Sequence, residues 1–224
     1  MKKVVPAALA GILLLSFTLS SCALVNETPE TLAPAEVREY QGEDLSSVND
    51  FIENSIRGPQ QVDINTYRLQ VNGLVDENKT YTYNQVISQN QHYKKVVKLN
   101  CVEGWSVKIL WEGVLLKDVL DRSGVSPDAT WVIFRAVDGY STAFPLEYLT
   151  DNNIILAYKI NDITMPPERG FPFMVVAESK WGYKWIKWVT DIELTDKEYY
   201  GFWETRGYSN DGSLDEPFFQ MSSP

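Results

Sequence analysis

The feature that most restricts the fold of this chain is the distribution of its apolar residues, which come in short alternating runs, each cut off by residues that turn the backbone. Tyr67-Arg68-Leu69-Gln70-Val71 alternates polar and apolar and stops at Asn72-Gly73; Trp131-Val132-Ile133-Phe134-Arg135-Ala136 stops at Asp138-Gly139. A period of two puts alternate side chains on one face, so each run predicts a half-buried strand. The run from Lys187 to Leu194 does the same, with Trp188, Ile192 and Leu194 on one face. Helical spacing predicts only two short helices, Tyr83 to Gln89 and Leu115 to Arg122, the second ended by Ser123-Gly124. Many strands, few helices and Gly and Pro punctuation predict a β-rich α+β domain. The 7 Trp, 12 Tyr and 9 Phe supply its core and exclude a disordered or disulfide-stapled chain.

Residues 1–21 have the order of an export signal: Lys2 and Lys3, an apolar run from Val4 to Leu15, then Leu19-Ser20-Ser21-Cys22. The last four resemble the bacterial lipobox, which predicts cleavage before Cys22 and lipidation of its thiol. The apolar run is shorter than the ~20 residues of a spanning helix. Residues 22–49 turn to Glu, Pro, Thr, Ser and Asp with hardly an aromatic, so they are expected to be a solvated acidic tether, with the domain proper at 50–224. The domain is thus expected outside the cytoplasm, lipid-anchored to the cell membrane. Net charge is −10, and loss of Lys2 and Lys3 takes it to about −12, which disfavours nucleic acid as a partner.

With Cys22 claimed by the lipid, Cys101 is a single thiol, and on composition alone a lone cysteine in a strand-rich core reads as an inert buried group. A single histidine, His92, excludes sites built from several histidines. A Cys–His nucleophile would need His92 to reach Cys101, and nothing supplies the third group such a pair requires.

The segment Lys98-Leu99-Asn100-Cys101-Val102-Glu103-Gly104-Trp105-Ser106, followed by Trp111-Glu112-Gly113-Val114, resembles the cysteine segment of the oxidoreductase molybdopterin-binding domain, the sulfite oxidase family. Further matches follow in order: Asp138-Gly139-Tyr140-Ser141, Leu156-Ala157-Tyr158, Gly170-Phe171-Pro172-Phe173, Gly182 to Val189, and Gly201-Phe202-Trp203-Glu204 with Gly207-Tyr208. The likeness runs from about Asn54 to Tyr208. It implies the mixed-sheet sulfite oxidase-like fold, molybdenum-molybdopterin as cofactor and Cys101 as metal ligand. A thiolate suits a soft metal already held by dithiolene sulfurs.

The resemblance further implies that Asn54 and Arg57 reach the pterin from an early loop, and that Lys187 meets its phosphate. Between Arg169 and Trp188 stand four basic residues, Arg169, Lys180, Lys184 and Lys187, against one acidic residue, Glu178; Arg169, Lys184 and Lys187 are therefore the expected anion cradle. Motif order suggests Asp138 and Tyr140 as hydrogen-bonding catalytic groups at the open metal position. The implied activity is two-electron oxygen-atom transfer on a small-molecule substrate, with a separate electron-transfer partner.

Two departures from the family pattern bear on this. Met174 stands where the family usually carries an arginine, which argues against sulfite. The signal offers Lys2-Lys3 where folded export would need an arginine pair. Both favour the alternative use of the same fold as a metal-free extracytoplasmic binding or assembly module.

Overall fold

The computed structural model describes residues 35–219. In chain order they form β1 (Glu39–Tyr40), β2 (Glu43–Asp44), β3 (Leu69–Gly73), β4 (Lys79–Tyr81), α1 (Tyr83–Ser88), β5 (His92–Asn100), β6 (Ser106–Leu115) and α2 (Leu116–Asp121). Then come β7 (Trp131–Ala136), β8 (Ser141–Pro145), α3 (Leu146–Asp151), β9 (Ile155–Ile160), β10 (Ile163–Thr164), β11 (Met174–Val175) and β12 (Val189–Thr195). The strands make two five-stranded sheets and a separate two-stranded ribbon of β1 and β2. One is antiparallel, ordered β10-β9-β6-β5 with β11 also on β9; the other runs β4-β3-β12-β7-β8. In the second, β12 lies parallel to β3 and antiparallel to β7, so the architecture is the expected sheet-dominated, mixed-sheet α+β fold.

The alternating runs form as period-two burial dictates. In β3, Leu69 and Val71 are buried while Gln70 is exposed, and in β12 Ile192 and Leu194 face the same core. The run predicted from Lys187 starts as a strand only at Val189, because Trp188 takes φ +55 and the register with β7 shifts between Val189 and Asp191. β3 extends to Gly73 (φ +87), where a Cβ would stand 2.1 Å from Leu194 O; only glycine permits that approach to β12. Thr82 starts α1 through a capping box: its Oγ accepts from the Gln85 amide at 3.2 Å, and Gln85 Oε1 from the Thr82 amide at 2.8 Å. α2 buries Leu116, Val119 and Leu120, one stripe at i, i+3 and i+4.

The tether reading fails for residues 36–48. These residues dock on the domain, burying Leu45 and Val48. Glu36 Oε1 accepts from the Val48 amide (2.7 Å) and from Asn161 Nδ2 (2.8 Å), and Asn161 also donates to Ser46 O (2.9 Å). Composition suggested solvation; the acidic residue is instead consumed by capping buried amide donors. The signal, Cys22 and the rest of the tether lie outside the described residues.

Candidate active site

β5 and β6 are joined by a tight turn over residues 101–105, closed by Cys101 N–H donating to Trp105 O (2.9 Å) and Gly104 N–H to Cys101 O (3.1 Å). The turn aims the amides of Val102 and Glu103 at the Cys101 sulfur, and Asn54 Nδ2 donates to it at 3.6 Å. Burial pushes the thiol up; the amide donors and Asn54 oppose that, and the Glu103 carboxylate adds to it. The same Asn54 Nδ2 donates to Glu103 Oε2 at 3.0 Å, as does Trp105 Nε1 at 3.2 Å. Cys101 is therefore a buried thiol with hydrogen-bond donors aimed at its sulfur, and burial outweighs them and keeps it protonated.

This turn forms one wall of a cavity of about 290 Å³. Its other walls are Phe51, Ile52 and Asn54 to Ile56 from the segment before β3, Asp138 and Tyr140 from the β7–β8 turn, Glu168, Arg169 and Met174, Gly182, Tyr183, Trp185, Lys187 and Trp188, and Trp203 with Tyr208. Asp138 accepts from the Tyr140 amide at 2.9 Å, and the Tyr140 hydroxyl donates to Tyr183 O. Burial, then the Glu204 charge, drives the Tyr140 hydroxyl well above its ordinary range, so it stays protonated.

Two cations face the cavity. Lys187 Nζ donates to Glu53 Oε1 (2.8 Å) and Glu168 O (3.3 Å), and burial lowers its proton affinity. Among the described residues Arg169 donates only through Nε, to Val48 O at 2.9 Å, while its guanidinium lies 4.9 Å from the Phe51 ring centroid. Burial likewise lowers its pKa. Glu103, Asp138 and Glu168 line the same cavity and oppose these charges.

The structure thus gathers Cys101, Asn54, Asp138, Tyr140, Arg169 and Lys187 around one space. Two expected site residues are elsewhere. Lys184 is fully buried, with its ammonium spent on Glu204 Oε1 (2.7 Å), Ala143 O (2.8 Å) and Asn210 O (2.9 Å); it is a structural ion pair and meets no cavity anion. The single 3-10 turn Gly182–Lys184 points it into the core, whereas Lys187, three residues on, lines the cavity. Arg57 is exposed beside Gly139 and lies outside the lining. Sequence reasoning missed Glu103 and Glu53. The signal for Glu103 was its place two residues after Cys101 in a Gly-containing turn; nothing local marked Glu53 as the partner of a lysine 134 positions away.

Donor chemistry tests whether a molybdopterin fits here. The wall offers one thiol, a guanidinium with free donors, a lysine, and Ser55 Oγ, which is buried with no hydrogen-bond partner among the described residues. A soft thiolate ligand and unspent donors to an anion match a dithiolene-bound metal with a phosphate tail. Among the described residues there is no cluster of three or more His, Cys, Asp or Glu able to hold a metal.

Comparison with known proteins agrees. The family described as oxidoreductase molybdopterin binding domain matches residues 56–203. The oxidoreductase YuiH of Bacillus subtilis is 34% identical over 151 residues, covering 67% of this chain and 76% of its own. The protein-methionine-sulfoxide reductase catalytic subunit of Ralstonia nicotianae is 25% identical over 179 residues, covering 70% of this chain and 54% of its own, so the chain spans about half of that relative. Among solved structures, the sulfane dehydrogenase SoxCD of Paracoccus pantotrophus superposes with TM-score 0.60 at 24% identity, over 62% of this chain and 41% of that one, which supports the fold.

Proposed function

We propose that this chain, which belongs to the oxidoreductase molybdopterin-binding domain family, is a lipid-anchored, extracytoplasmic enzyme of oxygen-atom transfer that reduces a sulfoxide. The observation that carries the reading is the cavity, where the one thiol of the described residues shares a wall with Asn54, Arg169 and Lys187. Cys101 would hold the molybdenum and Lys187 with Arg169 the anionic tail of the pterin. When bound, the cofactor supplies a two-electron centre that takes up an oxygen atom. The reaction consumes a sulfoxide, two electrons and two protons and yields a thioether and water, with the electrons drawn from a separate partner.

The chain's own groups act around that centre. Asn54 donates to the Cys101 sulfur and keeps it oriented. Tyr140, its hydroxyl buried in the cavity wall, keeps its proton in the hydrogen bond to Tyr183 O, and the Asp138 carboxylate is fixed by the Tyr140 amide. Phe51, Trp105, Trp203 and Tyr208 line the cavity with aromatic surface that excludes water. Three wall carboxylates, with Met174 where the family usually has an arginine, disfavour a dianion such as sulfite and favour a neutral sulfoxide. The Ralstonia relative's name, a protein-methionine-sulfoxide reductase catalytic subunit, supports a sulfoxide carried on a protein over the free small molecule expected from sequence. Anchoring rests on Leu19-Ser20-Ser21-Cys22; among the described residues no helix is long and apolar enough to cross a membrane.

The test is elemental analysis of protein recovered from its native membrane, with methionine sulfoxide reduction driven by a reduced dye. The parent should carry about one molybdenum per chain. Cys101→Ser should fold, keep its circular dichroism, and lose both the thiolate-to-metal absorption and turnover. A Cys101→Ser protein with parental spectrum and rate refutes the ligand, and a parent without molybdenum returns the chain to the metal-free binding reading.

A further inference from the structure

Residues 51–62 make no backbone–backbone hydrogen bond among the described residues, although five of them, Phe51, Ile52, Asn54, Ser55 and Ile56, wall the cavity. Both flanks are tied down. Before the segment, Ser46 N–H donates to Lys108 O (2.8 Å) and Arg169 Nε to Val48 O; after it, Tyr67 N–H donates to Asp63 O (2.9 Å) and its hydroxyl to Val189 O. Between these anchors the chain is a strap held by side chains alone. A segment without main-chain hydrogen bonds to the body belongs to the low-stability end of a fold, where local opening is cheap.

Apart from Gln60 Nε2 donating to Gly58 O within the strap (2.8 Å), its side-chain polar ties among the described residues reach site residues. Glu53 Oε1 pairs with Lys187 Nζ at 2.8 Å, with the two side chains 28% and 15% exposed, and Asn54 bridges Cys101 and Glu103. The Lys187–Glu53 pair gives the strap its one charged tie, made to a cation that faces the space where an anion would sit. A lysine has three donors; here Glu53 and Glu168 O take two, and the Trp188 ring lies 4.3 Å from the ammonium. A phosphate arriving at Lys187 therefore competes with Glu53.

We propose that residues 51–62 are a latch over the cofactor cavity, closed by the Glu53–Lys187 ion pair, and that an incoming anionic group displaces Glu53 from Lys187 and frees the strap to reseat on the occupied cavity. Loading is then an exchange of one counter-ion for another, at little electrostatic loss to Lys187, and Glu53 guards the lysine in the empty protein. The latch stands on the geometry alone; only the identity of the displacing anion rests on the function proposed above.

The experiment is limited cleavage by an arginine-specific protease at Arg57, the exposed arginine of the strap, on the purified apo chain, with inorganic phosphate as the probe anion. In Glu53→Gln, cleavage at Arg57 should run about fivefold faster, the effect of losing roughly 1 kcal/mol from one partly buried pair, while Arg135 in β7 stays resistant. The charge swap Glu53→Lys with Lys187→Glu should restore resistance at Arg57. Phosphate should bind Glu53→Gln several-fold more tightly than the parent and should speed Arg57 cleavage in the parent alone. Unchanged cleavage in Glu53→Gln, or a swap that fails to restore resistance while Arg135 stays resistant, overturns the latch. Faster cleavage with phosphate binding neither protein upholds the latch and refutes the anion site instead.

Discussion

Replacing Lys184 with Met separates a structural lysine from a cofactor lysine. Met keeps most of the stem and deletes the ammonium, leaving the Glu204 carboxylate, its side chain fully buried, with Thr142 Oγ (2.5 Å) as its one donor among the described residues. Its Oε2 has no hydrogen-bond partner among the described residues even in the parent. Removing one member of a buried pair costs about 3–5 kcal/mol, since the surviving charge stays desolvated. Two carbonyls, Ala143 O and Asn210 O, also lose a charged donor. For a domain of this size each kcal/mol moves the midpoint by about 2–4 °C, so Lys184→Met should melt roughly 10 °C below the parent. The assay is thermal unfolding of the apo protein by circular dichroism. Adding Glu204→Leu should recover most of the loss, because an apolar pair of similar volume is close to neutral in such a place. A loss under about 1 kcal/mol in Lys184→Met, or a double variant no better than the single, refutes the buried-pair reasoning.

Two further outcomes follow from the same physics. Cys22→Ala should release the domain into the soluble fraction and abolish lipid labelling, since each buried methylene of an acyl chain is worth ~0.8 kcal/mol and the polar tether supplies nothing comparable; unchanged membrane retention counts against the anchor. Burial lowers the proton affinity of Lys187, so as pH rises toward ~10.4 the folded chain gives up this proton while the unfolded chain still holds it, and stability relative to Lys187→Met should rise with pH. Phosphate affinity should fall over that window, because the neutral amine no longer attracts the anion; flat profiles for both reject the assignment of Lys187 to the anion site.

Elements whose cause is local were legible in the sequence. The run from Trp131 to Ala136 is the strand its alternation implies, and the helix predicted over 115–122 forms at Leu116–Asp121 from its apolar spacing. Cys101 could be singled out because its neighbours carry a family pattern. What stayed hidden depends on contacts far along the chain. Nothing around Lys184 and Lys187 says which is buried, since the choice is made by a single turn at Gly182–Lys184 and by Glu204, 20 positions later. The docking of residues 36–48 hangs on Asn161, a buried residue at φ +46 whose amide serves Glu36 and Ser46 from more than a hundred positions away. An acidic, aromatic-poor segment reads as solvated until that acceptor-hungry side chain is placed beneath it.

The central seat of β12 has a consequence for when this protein can become itself. β12 is threaded between β3 and β7, and Tyr67 reaches Val189 across 122 positions, so half of one sheet waits as an incomplete surface until the last quarter of the chain arrives. Pairings that distant form slowly and leave strand edges open meanwhile. Trp203 and Tyr208, which finish the cavity wall, come later still. A chain that stops short of Tyr208 lacks part of the cavity wall, so the pocket is complete only once nearly the whole fold has been made.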